Sequence, residues 1–167
     1  MALAQGIRLF NLVIAGQGQA GAVTDIQLPE VKETIEEFKG GYMSSVGIPV
    51  GLEKMELEFT LHYSSADTLS LFGLEAGKTA TFVFTPALEN EKGVVGLKAT
   101  IQGRIIGVQT DPISSESIFK QKFTVQVSSY VLEQEGTELY NIDIERWIYK
   151  VRGQDRLAAV RTKAGIS

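Results

Sequence analysis

Alternation with period two dominates the chain. From Glu53 onward, Met55, Leu57, Phe59 and Leu61 point one way while Lys54, Glu56, Glu58 and Thr60 point the other. Successive side chains of a strand lie on opposite faces, so this run predicts a strand with one dry and one wet face. The pattern recurs twice. Val95, Leu97, Ala99, Ile101 and Ile105 alternate with Lys98, Thr100, Gln102 and Arg104; Phe119, Phe123, Val125 and Val127 alternate with Lys120, Lys122, Thr124 and Gln126. Both runs exceed the usual globular strand of about five or six residues. Shorter strands are predicted at Ile7–Ala15, Val31–Phe38, Thr79–Thr85 and Leu139–Asp143. Turn signals separate them at Gly16–Gly21, Gly40–Gly51, Asn90–Gly93, Asp111–Pro112 and Glu135–Gly136.

Two short helices interrupt the strands. Ser65 can cap one that carries Ala66, Leu69 and Phe72 on one face and stops at Gly73. Asp155 can cap another through Leu157, Val160 and Arg161, with Gly165 just past its end and Ile166 supplying the apolar contact that follows such an end. The fold class is therefore mostly β: an antiparallel sandwich or barrel with one inserted short helix and a C-terminal helix.

Composition narrows the class. At 167 residues the chain is one domain, 1–167, by length. An apolar fraction of 44% and a charged fraction of 22% are those of a soluble globular protein. With no cysteine, disulfides, thiol nucleophiles and thiolate metal sites are excluded together. The opening MALAQGIRLFNLVIAG has Arg8 as its only charge and is broken by Asn11 and Gly16, so it does not read as a signal peptide. No stretch approaches the roughly 18 apolar residues of a membrane span, so no membrane insertion is expected. A net charge of −4 without a visible basic patch argues against a grip on duplex DNA.

Motifs with catalytic or binding chemistry give little. Gly16-Gln17-Gly18-Gln19-Ala20-Gly21 fits a dinucleotide fingerprint, but that motif needs a helix N-terminus to hold the pyrophosphate, and AVTDIQLPEV follows; the segment reads as a glycine-rich hairpin turn. His62, the single histidine, stands beside Tyr63 at the end of a polar strand face and reads as a surface residue. One histidine without cysteine makes poor zinc-site material. The acids Glu30, Glu33, Glu36 and Glu37, then Glu53, Glu56 and Glu58, lack the aromatic cleft in which paired glycosidase carboxylates work, and read as solvated strand faces. No catalytic, cofactor-binding or metal-binding residue is assigned, and no cofactor is expected.

The order of landmarks carries more. Leu28-Pro29 opens a strand ending in Phe38-Lys39-Gly40-Gly41-Tyr42-Met43; Gly51-Leu52-Glu53-Lys54-Met55-Glu56 and Phe59 follow. Toward the C-terminus come Leu139-Tyr140-Asn141-Ile142-Asp143, Val151-Arg152-Gly153-Gln154-Asp155-Arg156-Leu157, Arg161 and Gly165-Ile166. In these pieces the chain resembles the major tail tube protein of contractile-tailed phages and R-type pyocins. It departs from the family at Tyr42, where a glycine is usual, and at Arg152, where Val-Asn-Gly is usual before the aspartate.

The resemblance implies a non-enzymatic structural protein, an antiparallel β-sandwich or barrel with a flanking helix. It implies hexameric rings of the chain itself, stacked into the inner tube of a contractile tail. Sheath, baseplate and tail-terminator proteins are the implied partners, DNA passes transiently and without sequence specificity in a phage, and the place is a virion tail or bacteriocin particle assembled in the bacterial cytoplasm. Alternatives are a type VI secretion-like tube protein and, from another class, a β-sandwich enzyme or glycan-binding module. Within the tube reading, Lys54, Glu56 and Glu58 are expected to face the lumen. Gly40, Gly41, Tyr42, Met43, Val46 and Ile48 belong to a segment too apolar for a free loop and are expected at a contact between subunits or rings. Leu157 and Val160 are expected to anchor the C-terminal helix, leaving Arg156, Arg161 and Lys163 to face the sheath.

Overall fold

The long alternating runs become the long strands. The computed structural model describes residues 4–19, 21–41, 43–63, 65–73 and 77–166. In chain order the elements are β1 (Gly6–Ile14), β2 (Gln17–Gly18), β3 (Val23–Gln27), β4 (Glu33–Phe38), β5 (Val46–Leu52), β6 (Glu56–Leu61) and α1 (Ala66–Leu69). Then follow β7 (Ala80–Asn90), β8 (Gly93–Thr110), β9 (Gln121–Gln134), β10 (Thr137–Asp143), β11 (Ile148–Val151), β12 (Gln154–Asp155) and α2 (Ala158–Ala164). Among the described residues these strands all pair antiparallel.

Strand β9 organises the main sheet. One of its edges pairs with β8 along its whole length. Its other edge is shared: Gln121–Gln126 pair with β6, and Ser129–Gln134 pair with β10. The hand-over falls at Val127 and Ser128, whose backbones bond to Met55 and Ile144, outside the two partner strands. Opposite the hand-over, β8 shifts register between Gln102 and Gly103 and again between Ile105 and Gly107. A Cβ at Gly103 would strike the Gln126 carbonyl oxygen and lie 2.9 Å from Val125 Cγ1, so glycine permits the backbones to close here. The ladder continues from β8 through β7 to β1 and β2, and from β10 through β11 to β12; β3 lies outside β6.

The sheet curls over its dry side. Phe59 on β6 and Phe82 on β7 have two strands, β9 and β8, between them in the ladder, yet their ring centroids are 5.8 Å apart. Phe59 also stacks on Phe123 at 5.1 Å. Met55, Leu57, Phe59, Leu61, Ile101, Ile105, Phe123, Val125 and Val127 are all buried, as their alternation predicts. Tyr130 joins this core, and burial, reinforced by Tyr140, pushes its phenol up to about 12.

Four expectations change. Strand β7 runs beyond Thr85 to Asn90; its pairing with β8 merely lapses at Thr85 and Pro86, where proline has no N–H to donate. The segment Gly40–Gly51 is not one loop: Val46–Leu52 pair with Glu33–Phe38 as a separate two-stranded hairpin. Its Val-Gly-Ile-Pro-Val-Gly-Leu alternation is a strand pattern whose glycines and proline lack the sheet neighbours that would disfavour them. Phe119 keeps the phase of β9 but precedes it and is exposed. In α1 the Ser65 side chain accepts from Thr68 N–H as expected, but Thr68 is the buried residue, and Leu69 and Phe72 look outward. The orientation of this single turn is set by its cap and by the Gln17–Asp67 bond at 3.1 Å, not by an apolar face.

Tight turns close several hairpins with two residues at positive φ: Ala15–Gly16, Glu135–Gly136 and Arg152–Gly153. This is the mirror-image turn whose twist suits flanking strands, and the glycine-rich segment after β1 is such a turn, with no helix behind it.

Helix α2 is held by a polar clasp. Val160 is 60% exposed and anchors nothing. Arg161 turns inward instead: it pairs with the Asp155 carboxylate and donates from Nη1 to the Trp147 carbonyl at 2.7 Å. Asp155 also accepts from Leu157 N–H at 3.0 Å. The helix ends on Gly165 at φ 73, with the N–H of Ile166 bonded to the Arg161 carbonyl. The Arg161 hydrogen bond holds the Asp155 carboxyl below its usual range. A depressed carboxylate stabilises the folded state above its unfolded pKa and loses that contribution as pH falls through the lower folded value. Amide protection across Ala158–Ala164 is therefore expected to fade on acidification below about pH 4, and Asp155→Asn should lower it at neutral pH and abolish that acid step. Hydrogen exchange reads both; equal protection in the two proteins at every pH would refute the clasp.

Candidate assembly surfaces

The wet face of β6 is a field of paired charges. Lys54 Nζ lies 2.6 Å from Glu56 Oε1, and Lys122 Nζ, one strand over, lies 3.2 Å from Glu58 Oε2. Glu56 stands opposite Gln126, itself opposite Arg104, while Glu58 stands opposite Thr124. A groove of about 490 Å³ crosses this face between β3, β6 and the start of β9, lined among others by Asp25, Glu58, Asp111, Lys120 and Lys122. The structure thus brings Lys54, Glu56 and Glu58 together on one polar face, and adds the two lysines of the β9 end that the strand alternation did not tie to it. His62 Nδ1 lies 3.1 Å from the Phe119 carbonyl oxygen, which ties the end of β6 to the loop before β9.

The hairpin of β4 and β5 is the second surface. Its strands pair only with each other, and its residues from Glu33 to Gly51 are exposed wherever described. Ile35, Phe38, Met43, Val46, Ile48 and Val50 all show more than two-fifths of their surface, Met43 all of it. Gly40 and Gly41 lie in its turn, Gly41 at φ 79, and Tyr42 lies outside the described residues. At the root, Glu53 N–H bonds to the Lys32 carbonyl and Lys32 pairs with Glu53 at 3.7 Å. The root lies near β11: burial first, then the Glu33 carboxylate and Tyr140, raise the Tyr149 phenol, and the Arg156 guanidinium opposes them. Sequence reasoning placed the apolar residues of this segment but missed its strand, because Gly47, Pro49 and Gly51 read as turn material.

The C-terminal edge is the third. Arg156 and Lys163 are exposed; Arg161 is not among the outward cations, because the Asp155 clasp takes it. The turn from β10 to β11 carries Ile144, Arg146 and Trp147, all exposed, and the Asp143 side chain fixes it by accepting from the N–H groups of Glu145 and Arg146 at 3.1 Å each. The wet faces, the hairpin and this edge offer broad contact surfaces.

Known proteins place the chain. The phage tail tube protein FII family matches residues 4–165. The tail tube protein of Escherichia phage P2 is 23% identical over 172 residues, covering 99% of this chain and all of that one. The major tail tube protein of Serratia phage KSP20 is 21% identical, covering 93% of this chain and 92% of its own. Among solved structures, the sheath/tube terminator of the PVC extracellular contractile injection system in its extended state superposes with a TM-score of 0.61 at 9% identity, over 80% of this chain and 99% of that one. The PVC sheath-tube complex in the extended state gives 0.59 at 9% identity, over 78% and 91%. The tube-terminating cap of the anti-feeding prophage gives 0.59 at 12% identity, over 80% and 94%. The structural likeness is one of fold; the sequence match, running nearly from end to end, shows that this chain belongs to the phage tail tube protein FII family and has a structural role in a tail tube.

Proposed function

We propose that the chain assembles into hexameric rings, that the rings stack into the inner tube of a contractile tail, and that in a phage the tube conducts DNA. Assembly takes place in the bacterial cytoplasm, and sheath, baseplate and terminator proteins are the partners; the solved neighbours come from assemblies named for such parts. The observation that carries the reading is the β4–β5 hairpin. An isolated two-stranded hairpin is marginally stable in water, and this one exposes six large apolar side chains. Covering them is worth on the order of 9 kcal/mol at about 1.5 kcal/mol each. Association costs about 4–15 kcal/mol. One arm alone is therefore marginal, and a ring of such contacts is what makes assembly favourable.

Ring closure through sheet edges fits the same structure. Beyond Gly103, β8 has β9 on one side, while on the other only the Phe72–Ile105 bridge touches it among the described residues. An edge of this kind invites another strand, and pairing it around a ring removes the aggregation hazard. Val46→Ser with Ile48→Ser should leave the monomer within about 0.5 kcal/mol of its stability, as exposed substitutions do, yet abolish tubes in negative-stain micrographs. Tubes of normal length and number would show that the hairpin is not a contact.

The Lys54, Glu56 and Glu58 face is proposed to line the lumen. Duplex DNA carries about one negative charge per 1.7 Å of axis, and each Lys or Arg that neutralises a phosphate tightens binding by releasing counterions. On this face Lys54 and Lys122 are already engaged by Glu56 and Glu58, which leaves Arg104 and Lys120 as its cations without an ion pair among the described residues and so reduces what can hold passing DNA. Glu56→Lys with Glu58→Lys should give tails of normal appearance that eject DNA more slowly, or altered conductance in a bacteriocin-like tail. Unchanged ejection kinetics in assembled particles would count against the lumen assignment.

Arg156 and Lys163 are proposed to face the sheath, Arg161 serving the clasp instead. Reversing both exposed charges to Glu should weaken sheath attachment while bare tubes still form; sheathed tails in normal yield would reject the contact.

A further inference from the structure

Two residues held in left-handed backbone conformation bracket β11: Trp147 at φ 59 and Arg152 at φ 50. For a residue other than glycine this conformation costs roughly 1–2 kcal/mol, and for bulky side chains it marks strain that the surroundings must over-determine. The surroundings of Trp147 do so. The Asp143 carboxylate holds the N–H groups just before it, Arg161 holds its carbonyl, and Asp155 holds Arg161. The product of this scaffolding is the single tryptophan of the chain with 57% of its surface in water, flanked by exposed Ile144 and by Arg146, whose side chain is 80% exposed. No core packing explains such effort. Tryptophan and arginine are the residue types that most often dominate binding energy at protein interfaces.

Charge identifies the occupant. Residues 144–163 hold six Lys or Arg and two acids in a chain whose net charge is −4. Residues 30–53, the hairpin with its root, hold five acids and two lysines among their exposed apolar side chains. Glu36 and Glu37, beyond the root, make no ion pair among the described residues.

We propose that the turn and strand from Ile144 to Arg152, with Trp147 at the centre, form the seat that receives the Glu33–Leu52 hairpin of a neighbouring copy. The inference rests on the assembly reading above and names the receiving surface for its arm. Trp147 supplies the apolar anchor for a side chain such as Phe38 or Ile48, and Arg146 and Arg152 meet Glu36 and Glu37. The contact joins unlike surfaces, so it is tested by splitting it between two proteins. One carries Glu36→Lys and Glu37→Lys; the other carries Arg146→Glu and Arg152→Glu. All four positions are exposed, and circular dichroism with thermal melting checks that both variants fold.

Each variant alone opposes like charges at every contact and should remain small in light scattering and micrographs. An equimolar mixture restores opposite charges at every contact and should form tubes, with at least a tenfold gain in scattering over either variant alone. Trp147→Ser in the native background should abolish tubes, and Trp147→Phe, which keeps an aromatic anchor, should restore them in part. If the native protein forms tubes and either reversed variant also does so alone, or the mixture stays small, the seat is elsewhere and the assembly reading still stands. Native protein that forms no tubes under any condition would remove the assembly reading itself.

Discussion

Everything in this fold depends on how β9 divides one edge between two partners. A strand that kept a single neighbour on that side would build a flat, extended sheet with nothing to cover its dry face. By passing from β6 to β10 at Val127 and Ser128, with the Gly103 contact opposite, the sheet bends there and brings Phe59 over Phe82. The dry faces then cover one another. The wet faces, by the same alternation, are left as broad polar surfaces, and the charged face of β6 is one of them.

The bend also fixes where the additions leave the sheet. The hairpin departs between β3 and β6, next to the hand-over, because β6 begins there. The β10–β11 turn starts from the same place, since Ile144 bonds back to Ser128. Apart from Leu52 at the hairpin's root, neither addition packs on the core, so both can carry exposed aromatic and apolar side chains without competing with it. The clasp of Asp155 and Arg161 likewise holds α2 with almost no apolar burial, which leaves that helix dependent on electrostatics in a protein otherwise held by packing.

Period-two alternation made the strands legible wherever one face was buried. Met55 through Leu61 and Phe123 through Val127 lie inside as their phase requires. The phase says nothing about where the dry face ends, which is why Phe119, in phase with β9, stands outside it. It also misleads where neither face is buried: β5 carries Gly47, Pro49 and Gly51, a turn composition by every local rule, and becomes a strand only because β4 is beside it. Arg161 was legible as a cation near a helix end, but its inward turn depends on Trp147 and Asp155, fourteen and six residues earlier, converging in space. The family was legible because its landmarks are turns, hairpin roots and the C-terminal segment, where particular residues are needed, whereas the middle strands need only the right alternation.

If the proposed contact joins one ring to the next, a hairpin rooted in one copy and received by another makes every copy directional. Copies joined in that way all point the same way along the polymer, and the polymer has two unlike ends, one presenting hairpins and the other presenting empty seats. Addition at the two ends exposes different chemistry, so growth can be started by a template that matches one end and halted by a cap that matches the other. Length control then needs no property of the repeating subunit itself; it falls to whichever proteins recognise the two ends, and each of them needs to imitate only half of this chain's contact.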